Sequence, residues 1–426
     1  MASIVITPAH SMWMAGYAAR NKPSEGTAQD LFAKALAIED ADGTRLVVVT
    51  ADLIGIPRGL RDSLVARVRE KFGLAPEALL LNASHTHCGP ELRASKASQL
   101  ALGEDRVAQA RAYLEVLETK LLTIIGQAIE RLEPARIAYS HARCGFAMNR
   151  RLLTDRGYVI GPNPDGPVDH SVPVLRVETA GGRLNAVLFG YACHNTTLSF
   201  YEFCGDYAGF AQQYLEESHP GATALFLTGC GGDQNPYPRR ALEQARQHGR
   251  ALANAVEAAL EARPRTIAGP LRLAQDEVVL NFAPPPSREE LLKRLASSDR
   301  YERRHAERLL EELDANGRIR DEYPYLVHAV RFGNDLTLVA LAGEVVVDYS
   351  LRLKRELSTA DANGPIVWVS GYSNDVFGYV PSVRVLEEGG YEGGGAMRHT
   401  AFPGPFAATL EERIVGKVHE LLAGSR

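Results

Sequence analysis

Two histidines separated by one residue open the chemical reading of this chain. The run Leu79-Leu80-Leu81-Asn82-Ala83-Ser84-His85-Thr86-His87-Cys88-Gly89-Pro90 leads an apolar strand into His-x-His and stops on Gly-Pro. In extended backbone, positions i and i+2 project to the same side, so His85 and His87 are expected to face one point. Two imidazoles so placed suit a metal ligand beside a proton-transfer group, or a pair of ligands. The plain alternative is two hydrogen-bonded loop histidines.

Three further segments carry candidate chemistry. Leu188-Phe189-Gly190-Tyr191-Ala192-Cys193-His194-Asn195 is a second apolar strand ending in histidine. Thr223 to Thr228 runs into Gly229-Cys230-Gly231-Gly232-Asp233-Gln234-Asn235-Pro236, which taken alone reads first as a tight turn needing glycine; close backbone approach to a ligand, with Asp233 orienting a histidine, is the second reading. Ala342-Gly343-Glu344 closes an apolar run with a carboxylate, and Tyr372 to Pro381 follows. A glutamate among valines needs a partner, and a metal or an arginine would serve. Cys88 beside His87, and Cys193 beside His194, also keep a thiol hydrolase in view.

These segments lie at or near the ends of predicted strands, so the strands must position them. Leu31 to Glu39 and Leu46 to Thr50 flank an Asp-Gly turn, a hairpin signal repeated around Gly181-Gly182 and around Gly333-Asn334-Asp335. Helical periodicity covers Leu60 to Phe72, stopped by Gly73, as well as Val107 to Leu132 and Leu242 to Leu260. Residues 287–320 are charge-dense with leucines at helical spacing, which predicts a solvated helical excursion beginning after Pro284-Pro285-Pro286. The expected architecture is α/β, a mixed sheet with antiparallel hairpins and flanking helices, forming a single large domain over 1–426.

Composition narrows the partners. The chain has 426 residues, 47 Lys+Arg against 52 Asp+Glu and a net charge of -5, which leaves no basic excess for nucleic acid. Its best apolar run, Leu336 to Val347, contains Glu344 and is too short for a transmembrane segment. The first residues read as a strand with no basic leader. The expectation is a soluble chain without a signal peptide, cytoplasmic or exported after processing. Five cysteines without a CxxC pair argue against a disulfide scaffold.

In this order the motifs resemble the catalytic domain of the neutral (non-lysosomal) ceramidases. The resemblance rests on Gly16-Tyr17-Ala18, His85-Thr86-His87-Cys88-Gly89-Pro90, Asn149-Arg150, Cys193-His194-Asn195, Gly205-Asp206-Tyr207-Ala208-Gly209, Gly232-Asp233, Gly343-Glu344, Tyr379 and Tyr391-Glu392-Gly393. It implies a zinc-dependent amidase acting on linear N-acyl bonds, part of lipid metabolism. The metal would be Zn2+, held by His85, His194, Glu344 and Tyr379. His87 and Arg150 would be catalytic, touching the scissile amide and its tetrahedral intermediate. Gly16, Gln234 and Asn235 would meet the substrate, a small N-acyl molecule. The chain departs from the family twice. Asn235 stands where the pattern Gly-Asp-x-Ser-Pro has serine, and helical residues 406–422 end the sequence where the family carries a C-terminal β-sandwich. A true ceramidase and a non-catalytic relative therefore stand beside the amidase reading.

Overall fold

Branched strand residues and periodic helices assemble into a mixed α/β fold in the computed structural model. It describes residues 1–426 except 94, 95, 98, 99, 101, 360–363, 425 and 426. Three sheets hold the framework. The first orders Ala2–Val5, Phe32–Glu39, Arg45–Ala51 and Leu79–Ala83, antiparallel until the last pair, which is parallel. The second orders Thr223–Thr228, Leu184–Tyr191, Ser171–Thr179, Ala135–Arg143 and Arg265–Ile267. Leu271–Asn281, Glu322–Phe332, Leu336–Leu341 and Ile366–Ser370 make the third. All three expected hairpins are antiparallel pairs.

Helices cover the outer faces. Arg58–Phe72 ends on Gly73, whose φ of 67° lets its N–H return to the Arg69 carbonyl. Helix Glu104–Glu130 turns Leu117, Leu121, Ile124 and Ile125 inward against the first sheet. Asp206–Ser218 and Leu242–Glu261 cover the second sheet, and Leu410–Gly424 the third. Between the sheets, Val48 and Leu80 of the first meet Leu188 and Leu225 of the second and Leu338 and Trp368 of the third in one buried cluster. Gly190 makes room there, since a β-carbon would stand 2.9 Å from the Trp368 ring.

Each sheet contains one parallel pair: Arg45–Ala51 with Leu79–Ala83, Leu184–Tyr191 with Thr223–Thr228, and Leu336–Leu341 with Ile366–Ser370. Buried Asn82 fastens their C-terminal ends. Its Nδ2 donates to the Gly371 carbonyl at 2.8 Å, and its Oδ1 accepts from the Thr228 N–H at 2.9 Å. Thr228 Oγ1 donates back to the Ala83 carbonyl at 2.7 Å. A buried amide satisfied from three strands holds the following loops in fixed relation.

Residues 288–316 contain two helices, Arg288–Arg294 and Arg300–Asn316, capped by Ser287 and Asp299 and packed on Leu291, Ala306, Leu309 and Leu310. They are more than a solvated excursion. Tyr301 donates its hydroxyl to the Ala18 carbonyl at 2.8 Å and lines the cavity described next.

Candidate metal centre

The loops beyond the fastened strand ends bring His85, His87 and His194 together, with possible ligand atoms within 4.8 Å of one another. The convergence of the first two differs from the extended geometry expected of His-x-His. Leu79–Ala83 ends before the motif, and His85 adopts φ 60°, in the left-handed region. Anchors impose that turn. The His85 ring reaches the Ile54 carbonyl at 2.6 Å, and Thr86 Oγ1 donates to the Cys204 carbonyl at 2.7 Å while accepting from the Cys88 N–H. The result places His87 Nε2 3.1 Å from His85 Nε2.

The tautomers follow from the outer partners. His85 Nδ1 faces the Ile54 carbonyl and His194 Nδ1 faces the Gly231 carbonyl at 2.7 Å, so both Nδ1 atoms carry hydrogen. In that tautomer each Nε2 presents a lone pair. Both Nε2 atoms lie 3.2 Å from the same oxygen, Glu344 Oε2. Burial lowers His194 to about 3, with Arg150 adding to the effect, so that ring is neutral near pH 7. Acceptors thus face acceptors around one point, and a cation is the species that reconciles them. The Glu344 side chain is 14% exposed against 2% for His85 and 0% for His194, so the carboxylate meets the cavity.

Two tyrosines border this point. Tyr379 Oη is 3.4 Å from His194 Nε2 and accepts from Arg150 Nη2 at 2.9 Å. Burial raises its phenol well above the ordinary value, with Arg150 acting in the opposite direction. Tyr372 packs its ring 4.5 Å from His85, and its buried hydroxyl has no hydrogen-bond partner. An orphaned hydroxyl beside the imidazoles fits a site that completes itself with an ion and water.

Arg150 is gripped on every side. Its Nε donates to Glu392 Oε1 at 2.8 Å, Nη2 to Tyr379, and Nη1 to Asn235 Oδ1 at 3.3 Å. Asn235 also accepts from Thr196 Oγ1 at 3.1 Å, which makes it a strut under the guanidinium. Gln234 is turned elsewhere: its Nε2 donates to the Cys230 carbonyl and its Oε1 accepts from the Asp169 N–H. Gly16 lies against His87 at the cavity wall.

The glycine loop is structural, and Asp233 does not orient a histidine. A β-carbon on Gly232 would fall 2.5 Å from the Glu344 carbonyl oxygen, and one on Gly231 2.7 Å from the Cys193 nitrogen. These glycines therefore pack loop on loop. The Asp233 carboxylate accepts from the Val347 N–H and from Asn149 Nδ2, while His194 is oriented by the Gly231 carbonyl. Cys88 and Cys193 are fully buried with thiols raised above the usual range, so neither offers a thiolate at neutral pH.

A cavity of about 990 Å3, counting its open mouth, leads to the cluster. Trp13, Met14, Leu100, Phe377 and Met397 give it an apolar wall; Glu91, Arg93, Lys96, Tyr301 and His399 stand on the same lining. Tyr17 sets its ring 4.8 Å from His87, and Tyr391 sets its own 5.4 Å from Tyr379. Sequence reading had no spacing signal for the charged lining, which sits on a loop outside the strand-end motifs. No helix among the described residues is long and apolar enough to cross a membrane.

A mixed α/β framework with buried imidazoles and a carboxylate at its strand ends defines a candidate metal-centre protein. The chain belongs to the family described as neutral/alkaline non-lysosomal ceramidase, N-terminal, which it matches over residues 4–257, more than half its length. It is 26% identical over 250 residues to neutral ceramidase A of Dictyostelium discoideum. That match spans 53% of this chain and 34% of the relative, about a third of its length. The fold is shared with the neutral ceramidase from Pseudomonas aeruginosa, at TM-score 0.73 and 21% identity over 98% of this chain and 74% of that one. A ceramidase solved in complex with C2 gives TM-score 0.72 at 21% identity, covering 97% of this chain and 75% of that one.

Proposed function

We propose that this protein is a zinc-dependent amidohydrolase that cleaves an N-acyl bond. The observation that carries the reading is the approach of two imidazole Nε2 atoms, each with its Nδ1 committed to a carbonyl, to one carboxylate oxygen. His85, His194, Glu344 and Tyr379 would hold the ion, a nitrogen and oxygen donor set that suits zinc. When bound, zinc supplies Lewis acidity and lowers the pKa of coordinated water toward about 7.

The chain's own residues do the remainder. His87 presents Nε2 to the same point, and burial keeps its ring deprotonated near neutral pH, with His85 and His194 adding to the effect. Its neutral Nε2 is available to take a proton from the attacking water and to give it to the departing amine. Arg150, locked by Glu392 and Asn235, holds fixed positive charge beside Tyr379, where the carbonyl oxygen gains negative charge. Gly16 leaves His87 room at the wall, and Gln234 and Asn235 keep the Gly231–Pro236 loop and Arg150 in register. The apolar wall suits an acyl chain.

Family membership favours a second reading, with ceramide itself as substrate. Release of fatty acid from ceramide in detergent, compared with short N-acyl amines before and after chelation and zinc restoration, tests both. Zinc-restorable release from some N-acyl substrate is expected. Turnover that survives chelation would contradict the proposal.

A further inference from the structure

Of the cations on the cavity lining, Lys96 is the one with no ion pair among the described residues. Arg93 donates Nε and Nη2 to the Glu91 carboxylate, each at 2.7 Å, so that pair is neutral as a unit. Lys96 stands beside it and donates to the backbone carbonyl of His399, which brings it no opposing charge. Burial lowers the His399 imidazole to about 4, with Lys96 adding to the effect, so this histidine is neutral near pH 7. Arg398 is tied to Asp299 at 3.0 Å, while Arg308 adds its positive charge to that of Arg93 at Lys96. The Glu344 carboxylate, which faces two imidazoles, favours the charged forms of both Arg93 and Lys96 from within the same cavity. Burial, with Arg93 next, brings the Lys96 ammonium down to about 8, as expected of a cation short of a counter-charge.

We propose that the substrate is an N-acyl compound bearing a carboxylate, which Lys96 binds while the amide lies at the histidine cluster. An ammonium without an ion pair calls for a monoanion, and a desolvated one gains more from an anion than an exposed one does. The acyl chain would take the apolar wall. The inference rests on the amidase reading for the position of the amide, whereas the anion preference stands on the lining itself.

The test pairs N-octanoylglycine with N-octanoylethanolamine, which differ in the carboxylate and release the same octanoate. Turnover is read as octanoate, and binding as the change in fluorescence of Trp13, which lines the cavity. The wild type should favour the glycine conjugate by about ten- to a hundredfold, the range of a hydrogen bond to a charged group. That ratio should fall toward one in Lys96→Gln and persist in Lys96→Arg. A ratio near one in the wild type, or one unchanged in Lys96→Gln, overturns the inference. Octanoate release without carboxylate preference removes this inference and leaves the amidase reading. Carboxylate-selective binding that Lys96→Gln abolishes, without octanoate from either compound, removes the amidase reading and leaves this one. Neither binding nor release removes both.

Discussion

Gly16 faces the His87 imidazole so closely that a β-carbon would stand 2.5 Å from its Cγ and Nδ1. Its φ of 98° is also one that other residues rarely adopt, at a cost of about 1–3 kcal/mol. Gly16→Ala must therefore displace the His87 ring or the loop that carries it. Turnover should fall toward that of His87→Ala, where losing a general acid or base costs about 100- to 10,000-fold. Metal content should be retained in both variants, because His87 stands outside the proposed ligand set. Loss of metal in Gly16→Ala would place this loop under the ligands as well.

The strut under Arg150 predicts a smaller effect. Asn235→Ser withdraws the acceptor that meets Arg150 Nη1 and Thr196 Oγ1. One such hydrogen bond contributes about 1 kcal/mol, so kcat should drop roughly fivefold with the metal still bound. Arg150→Lys should be far worse, since a compact ammonium lacks the planar fork whose separate nitrogens reach Glu392, Tyr379 and Asn235. Equal rates for wild type and Asn235→Ser would show that the strut does not position Arg150.

Asp233 predicts a pH effect on stability. Burial pushes its carboxyl up to about 7, against the Val347 N–H bond that lowers it. At low pH the folded and unfolded chains both hold the proton. As pH rises, the unfolded chain releases it first, so this group's stability contribution is lost progressively up to the folded value near 7. The slope reaches about 1.4 kcal/mol per pH unit within that window and vanishes above it. Denaturant midpoints of chelated wild type and Asp233→Asn between pH 5 and 8 should diverge by that slope. Parallel curves would mean that Asp233 is ionised throughout.

Thiol chemistry gives a clean exclusion. All five cysteines are buried and free. Alkylation of the native protein with iodoacetamide should leave turnover intact, whereas a chelator should remove it. Inactivation that tracks modification of Cys88 or Cys193 would reverse this assignment.

Much of the framework was legible because strand pairing and helix periodicity are local properties. The three hairpins, the Gly73 cap and the strand ends preceding His85 and His194 all follow from residues close in sequence. The conformation of the His-Thr-His loop was not legible. His85 adopts φ 60° because Ile54 and Cys204, far away in the chain, receive its ring and its neighbour's hydroxyl. Nothing local in the sequence marks Asn82, yet it ties Thr228 of the second sheet to Gly371, the residue following the third sheet's Ile366–Ser370. Asp233, which the sequence also allows beside a histidine, accepts from Val347 and Asn149, an outcome set by loop packing on glycines. The Lys96 environment depends on His399 and Arg93 meeting in space, which spacing alone does not encode.

The central claim is that His85, His194 and Glu344 hold a metal ion between opposed lone pairs. Metal analysis of purified wild type, His85→Ala, His194→Ala and His87→Ala, all prepared in the same buffer, tests it most directly. The account predicts one zinc per chain in wild type and in His87→Ala, with zinc lost from His85→Ala and from His194→Ala. Unchanged zinc content in His85→Ala and His194→Ala would contradict it.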